Sequence, residues 1–94
     1  MSMSLTTVQQ MIVNECDKLK AMLLEKNNRY GNSAISPIRV FSQADNVSQI
    51  LVRMDDKLSR IKNMTANNGD NEDAMMDLAG YIILYKVAKQ GAVK

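Results

Sequence analysis

The chain has 94 residues, with 12 Lys and Arg against 10 Asp and Glu, no His, one Cys, no Trp and eight Met. That length predicts one domain spanning 1–94. The missing His removes the usual general base and the commonest zinc ligand, and a single Cys rules out an intramolecular disulfide and any multi-cysteine metal site. Chemistry in such a chain has to rest on carboxylates, Lys, Arg and Tyr, with Mg²⁺ as the one metal to consider.

The remaining totals are those of a folded domain: 46% hydrophobic and 23% charged residues argue against global disorder. A net charge of +2 is too small for a generic nucleic-acid binder, so no direct DNA binding is expected. The sequence has neither an early apolar stretch with a basic flank nor an apolar run long enough to span a bilayer. With the lone thiol, this predicts a cytoplasmic protein without a membrane partner. Small domains bury a small share of their surface, so self-association is expected.

The first helix is expected over about 6–30. Val8, Ile12, Cys16, Leu19 and Leu23 follow one another at steps of four, four, three and four, which is one helix face. Thr6 with Gln9 forms a capping box, and Gly31 supplies the stop after Lys26 and Arg29. Cys16 on this stripe reads as a buried, inert thiol.

The stretch 31–46 is irregular. Ser36-Pro37 resembles an N-cap followed by Pro at the first helical position, which predicts a short helix at about 37–43 burying Ile38, Val40 or Phe41. The second long helix is expected over 46–63, capped by Asn46 with Gln49 at the third position. Val47, Leu51, Met54, Leu58 and Ile61 give it a regular apolar seam. Residues 63–71 have loop composition.

The third long helix is expected over 71–90, with Glu72, Asp73 and Asp77 near its N-terminal end, where the helix dipole favours anions. From Leu78 to Ala88 it is apolar nearly all round and has to be covered on more than one side. Met11, Met54 and Met75 sit at core spacing. The fold expected is all-α, a small bundle of three long helices and one short helix completed by oligomerisation.

Two groups of residues point to chemistry. Arg53, Asp56, Lys57 and Arg60 share about a third of the second helix's circumference and flank its apolar seam. Arg grips phosphate with a planar fork and Lys adds a mobile charge. Asp56, Asp73 and Asp77 could hold one Mg²⁺, which takes one or two carboxylates plus substrate oxygens. The blander alternative is an ion-pair lattice, with Arg53, Lys57 and Arg60 answering Asp73 and Asp77. The turn from Lys26 to Ser33 gathers amide, guanidinium and phenol groups, so Tyr30 could stack a base while Asn27 or Asn32 reads its edge. A plain helix C-cap explains the same residues.

Three segments in order, Leu24-Glu25-Lys26-Asn27-Asn28-Arg29-Tyr30-Gly31-Asn32-Ser33, Arg53-Met54-Asp55-Asp56-Lys57-Leu58-Ser59-Arg60-Ile61 and Glu72-Asp73-Ala74-Met75-Met76-Asp77-Leu78-Ala79-Gly80-Tyr81, resemble the small phage and prophage proteins of the "nucleotide modification associated" type. Those proteins carry K-N-x-x-Y-G-N-S, R-x-D-D-K-x-x-R and E-D-x-x-x-D-L-x-G-Y. The resemblance implies phage nucleotide metabolism or defence, in the cytoplasm of a bacterial host. More distantly, the helical layout is similar to the MazG-type all-α nucleoside triphosphate pyrophosphatases, which hold Mg²⁺ on E-x-x-E and E-x-x-D helices. This chain departs from them: Lys18 follows Glu15 at the third position, Asp73 and Asp77 are four apart, and no acid lies three after Glu72.

The leading expectation is therefore a non-catalytic nucleotide binder that sequesters a nucleotide defence signal at subunit interfaces, as a cyclic-nucleotide sponge would. Asn27, Arg29, Tyr30, Asn32, Arg53, Lys57 and Arg60 would bind the ligand, with no catalytic residue and either no cofactor or Mg²⁺ on Asp56, Asp73 and Asp77. The alternatives are a Mg²⁺-dependent pyrophosphatase acting on (d)NTPs or modified nucleotides, and a structural helical interaction module.

Overall fold

A computed structural model describes residues 4–36, 41, 44–67, 69 and 71–91. Three helices account for nearly all of them: α1 (Thr7–Tyr30), α2 (Asn46–Ala66) and α3 (Glu72–Lys89). No strand occurs among the described residues, so the chain is all-α. The short helix expected at 37–43 falls outside the described residues, Phe41 excepted. Phe41 is 99% exposed, while Ile38 and Val40, the other two candidates for burial there, lie outside the described residues; the nearby buried apolar residue is Ile35.

The start of α1 follows the sequence closely. Gln9 N–H donates to Thr6 Oγ1 at 3.1 Å and Thr6 N–H donates to the Gln9 side-chain carbonyl at 3.0 Å, closing the capping box. At its other end Gly31 adopts φ 65°, where a side chain would be strained, and its N–H donates to the Asn27 carbonyl at 2.7 Å.

The start of α2 differs by one residue. Its cap is Asp45, not Asn46: the Asp45 carboxylate accepts from Ser48 N–H at 2.7 Å, and a carboxylate at this position also meets the positive end of the helix dipole. The expected end at 63 also moves. The helix continues to Ala66, because the Asn63 and Met64 carbonyls still find donors in Asn67 N–H at 3.2 Å and Gly69 N–H at 2.6 Å. Turn-forming composition therefore marks the end of the loop better than its beginning. Asn71 places its amide on Thr65 Oγ1 at 2.9 Å and so ties the two ends of the α2–α3 connection together.

α2 and α3 form a packed helical hairpin, whereas α1 packs against α3 alone. Ile50 of α2 is fully buried and Ala74 of α3 is 2% exposed. No residue of α1 is buried. The apolar stripe on α1 is real, but its N-terminal half has no cover within one chain: Val8, Met11 and Ile12 are more than half exposed. Cys16 is exposed as well, which corrects the buried-thiol expectation. Met11 and Met75, expected in the core, are exposed too. A radius of gyration of 16.0 Å exceeds the roughly 12 Å of a compact domain of this length.

The α1–α3 crossing depends on Gly80. A Cβ built there would lie 3.1 Å from both Leu23 Cδ2 and Met22 Cε, and 3.9 Å from Leu19 Cδ1. The bare backbone of α3 lets three side chains of α1 sit against it. One turn beyond Leu23 on α1 comes Lys26, and three residues before Gly80 on α3 comes Asp77. The crossing brings these two within ion-pair distance.

Candidate functional site

A cleft of about 450 Å³ opens where the C-terminal end of α1 passes over the hairpin. Asn27, Tyr30 and Asn32 line it from α1 and the turn that follows, while Arg53 and Lys57 line it from α2. The structure thus brings together five of the seven residues expected to bind a nucleotide. Arg60 lies next door, on a more open shelf with Asp56 and Ser59 that Arg53, Lys57 and Tyr81 also border. Arg29 lines neither. It points along α1, pairs with Glu25 at 3.1 Å and holds its guanidinium 5.8 Å from the Tyr30 ring centre. Tyr30, and then Glu25, raise the Arg29 pKa above its ordinary value, so it stays cationic.

The charge at the back of the cleft is organised around Asp77. Its two carboxylate oxygens face different partners: Oδ2 is 3.2 Å from Lys57 Nζ and Oδ1 is 3.5 Å from Lys26 Nζ. Lys57 is the most enclosed of these, its side chain 17% exposed against 55% for Lys26. One carboxylate thereby ties all three helices at one point. Of the ion-pair lattice considered for α2, only Lys57–Asp77 forms among the described residues. Arg53 and Arg60 make no ion pair there, and Asp73 answers neither.

The turn shows how the Asn residues divide their duties. The Asn27 side-chain amide donates to the Gly31 carbonyl at 3.1 Å and to the Asn32 side-chain carbonyl at 2.9 Å. Both residues serve as the cap of α1 and both face the cleft, so the two readings of this turn are compatible. The backbone then closes one more turn, with Ile35 and Ser36 N–H donating to the Asn32 carbonyl at 3.1 and 2.8 Å. This drops Ile35, 5% exposed, into the cleft floor.

The proposed metal set does not assemble. Among the described residues no three acidic or thiol groups lie close enough to share a cation. Asp77 is held by two lysines, while Asp56 and Asp73 are exposed. Asp56, Asp73 and Asp77 therefore do not form one three-carboxylate site, and no step through a metal follows from them.

Sequence reasoning missed Lys26, Tyr81 and Ile35 as cleft residues. Lys26 was legible as a dipole-compatible cation, and its charge next to Asn27 and Tyr30 was the available signal. Tyr81 was absorbed into an apolar run, and nothing local distinguished it.

No protein-family model, curated protein or solved structure matches the chain. Among the described residues, no helix is long and apolar enough to cross a membrane.

Proposed function

We propose that the cleft binds a nucleotide through its phosphate and base and does not hydrolyse it. The observation that carries this reading is the convergence of Arg53, Lys57 and Lys26 with Tyr30, Asn27 and Asn32 on one 450 Å³ cavity. Cations from two helices supply charge-assisted hydrogen bonds to phosphate oxygens. An aromatic ring and two amides in the same lining suit the face and edge of a base. The cavity falls in the size range of small-ligand sites.

Binding without hydrolysis is favoured because the carboxylates are not arranged to hold a metal or to activate water. The acid nearest the phosphate-binding cations, Asp77, is engaged by two lysines. Sequestration of a nucleotide signal is one use of such a binder within the phage nucleotide metabolism or defence that the resemblance implies. A homo-oligomer belongs to the same reading, supported by the uncovered apolar face of α1 and by exposed Ile82 and Ile83 on α3. Large exposed apolar patches commonly mark association surfaces.

The test is calorimetric titration of purified protein with nucleoside mono-, di- and triphosphates, cyclic mononucleotides, cyclic dinucleotides and ADP-ribose. The ligand is recovered afterwards and analysed by chromatography, with and without Mg²⁺. The expected outcome is saturable binding of at least one class, recovered intact. Binding of none would leave the cleft as a gap between helices and favour a structural interaction module. Conversion to nucleoside monophosphate and pyrophosphate would restore the pyrophosphatase reading.

A further inference from the structure

We propose that Asp77 sets the charge of the ligand the cleft accepts, restricting it to phosphate esters carrying no more than about two negative charges. This rests on the reading of the cleft as a phosphate site. The charged residues lining it are Lys26, Arg53, Lys57 and Asp77, three cations and one carboxylate, which leaves a surplus of two positive charges. Including the adjoining shelf adds Arg60 and Asp56 and leaves the surplus unchanged.

The position of the carboxylate is what gives the balance consequence. A phosphate that reaches both Lys26 and Lys57 has to approach the group that holds them, because each ammonium sits within 3.5 Å of an Asp77 oxygen. The first two negative charges of a ligand neutralise the surplus. Every further charge meets Asp77 without a compensating cation. Lys57 and Asp77 are mostly enclosed, with side chains 17% and 27% exposed, so solvent screens this repulsion less than at an open surface. A monophosphate dianion or one or two phosphodiesters meet the limit, whereas a nucleoside triphosphate exceeds it. Asp77 is in this sense a specificity residue that also positions two lysines, and it donates nothing to the ligand.

The experiment is titration calorimetry of AMP, ADP, ATP and the diester ApA, without divalent metal, into wild type, Asp77→Asn and Lys26→Gln. Circular dichroism confirms that each variant is folded. The expected result is that Asp77→Asn raises the ATP-to-AMP affinity ratio roughly tenfold, in line with one unit charge removed at short range in a partly screened site. Lys26→Gln should lower that ratio, and ApA should be the ligand least affected by Asp77→Asn. Added salt should shrink both shifts. An unchanged ratio in Asp77→Asn, or equal weakening of every ligand by it, would overturn the proposal while leaving the binding reading intact. If wild type binds none of the four, the phosphate reading of the cleft fails and the Asp77 proposal falls with it. Should Asp77→Asn fail to fold, the same ratio in Asp77→Ser decides, a rise being expected and an unchanged ratio overturning the proposal.

Discussion

The α2–α3 hairpin and α1 contrast in how they are held. The hairpin contains the fully buried Ile50 and the nearly buried Ala74, and its connection is closed by a chain of hydrogen bonds from Asn63 to Gly69 and Asn71. α1, at 24 residues, is longer than either hairpin helix, yet it has no buried residue and meets α3 around Gly80 and through the Lys26–Asp77 ion pair. The difference separates scaffold from working wall. The hairpin, with its buried Ile50 and Ala74, carries Arg53, Lys57 and Asp77, and α1 brings Asn27 and Tyr30 to the same cleft. Binding residues commonly sit where a mobile or weakly held segment meets a firm scaffold.

The largest effects should appear in the hairpin. Ile50→Ala removes the one large side chain that is fully buried among the described residues and should cost about 2–5 kcal/mol, measured by denaturant unfolding. Val8→Ala on the open half of α1 should cost under about 0.5 kcal/mol in the monomer. A large Val8 effect that depends on protein concentration would show that a second copy covers this stripe.

Gly80→Val comes next. The added methyls would meet Leu23 and Met22, whose ends already lie 3.1 Å from where a Cβ would be. The expected cost of overpacking is about 1–3 kcal/mol, expressed as loosening of α1 and not as loss of the hairpin. Limited proteolysis should cut first between α1 and α2, and nucleotide binding should be lost while hairpin protection in hydrogen exchange persists. Gly80→Ala should be tolerated, because its neighbours are the flexible ends of Leu and Met and Ala gains helix propensity.

A smaller and purely local effect than Gly80→Val concerns the α1 cap. Thr6→Ala removes the Oγ1 that accepts from Gln9 N–H, while the backbone N–H of residue 6 can still donate to the Gln9 side chain, and should cost about 1 kcal/mol of local helix stability. Amide exchange should rise in the first turns of α1 with no measurable change in ligand affinity. A loss of affinity would mean that the N-terminal half of α1 contributes to the site, in its own chain or in another copy.

Legibility in the sequence follows the same division. The three long helices, the α1 cap and the Gly31 stop are readable because they depend on side chains within a few residues of one another. The apolar periodicity of α1 was also readable. Its lack of cover was not, since periodicity reports a face and says nothing of what meets it. That is why Cys16 and Met11 were expected inside and lie outside. The cleft was partly legible: Tyr30, Asn27, Arg53 and Lys57 were singled out by chemistry and spacing, and the crossing at Gly80 unites them. The carboxylates illustrate the limit. Asp73 and Asp77 are one helical turn apart, but what Asp77 does depends on Lys26 and Lys57, which lie far from it in sequence and reach it only through the fold.

The central claim is that the cations behind α1 hold a phosphate, and Lys57 is its sharpest handle. Native mass spectrometry of wild type and Lys57→Met, each mixed with the tightest ligand of the titration panel, would report occupancy, ligand integrity and subunit number together. One intact nucleotide per cleft on wild type is expected. Lys57→Met should show about ten- to a hundredfold weaker occupancy, equivalent to one charge-assisted hydrogen bond of about 1.5–3 kcal/mol. Equal occupancy in the two proteins would contradict the account.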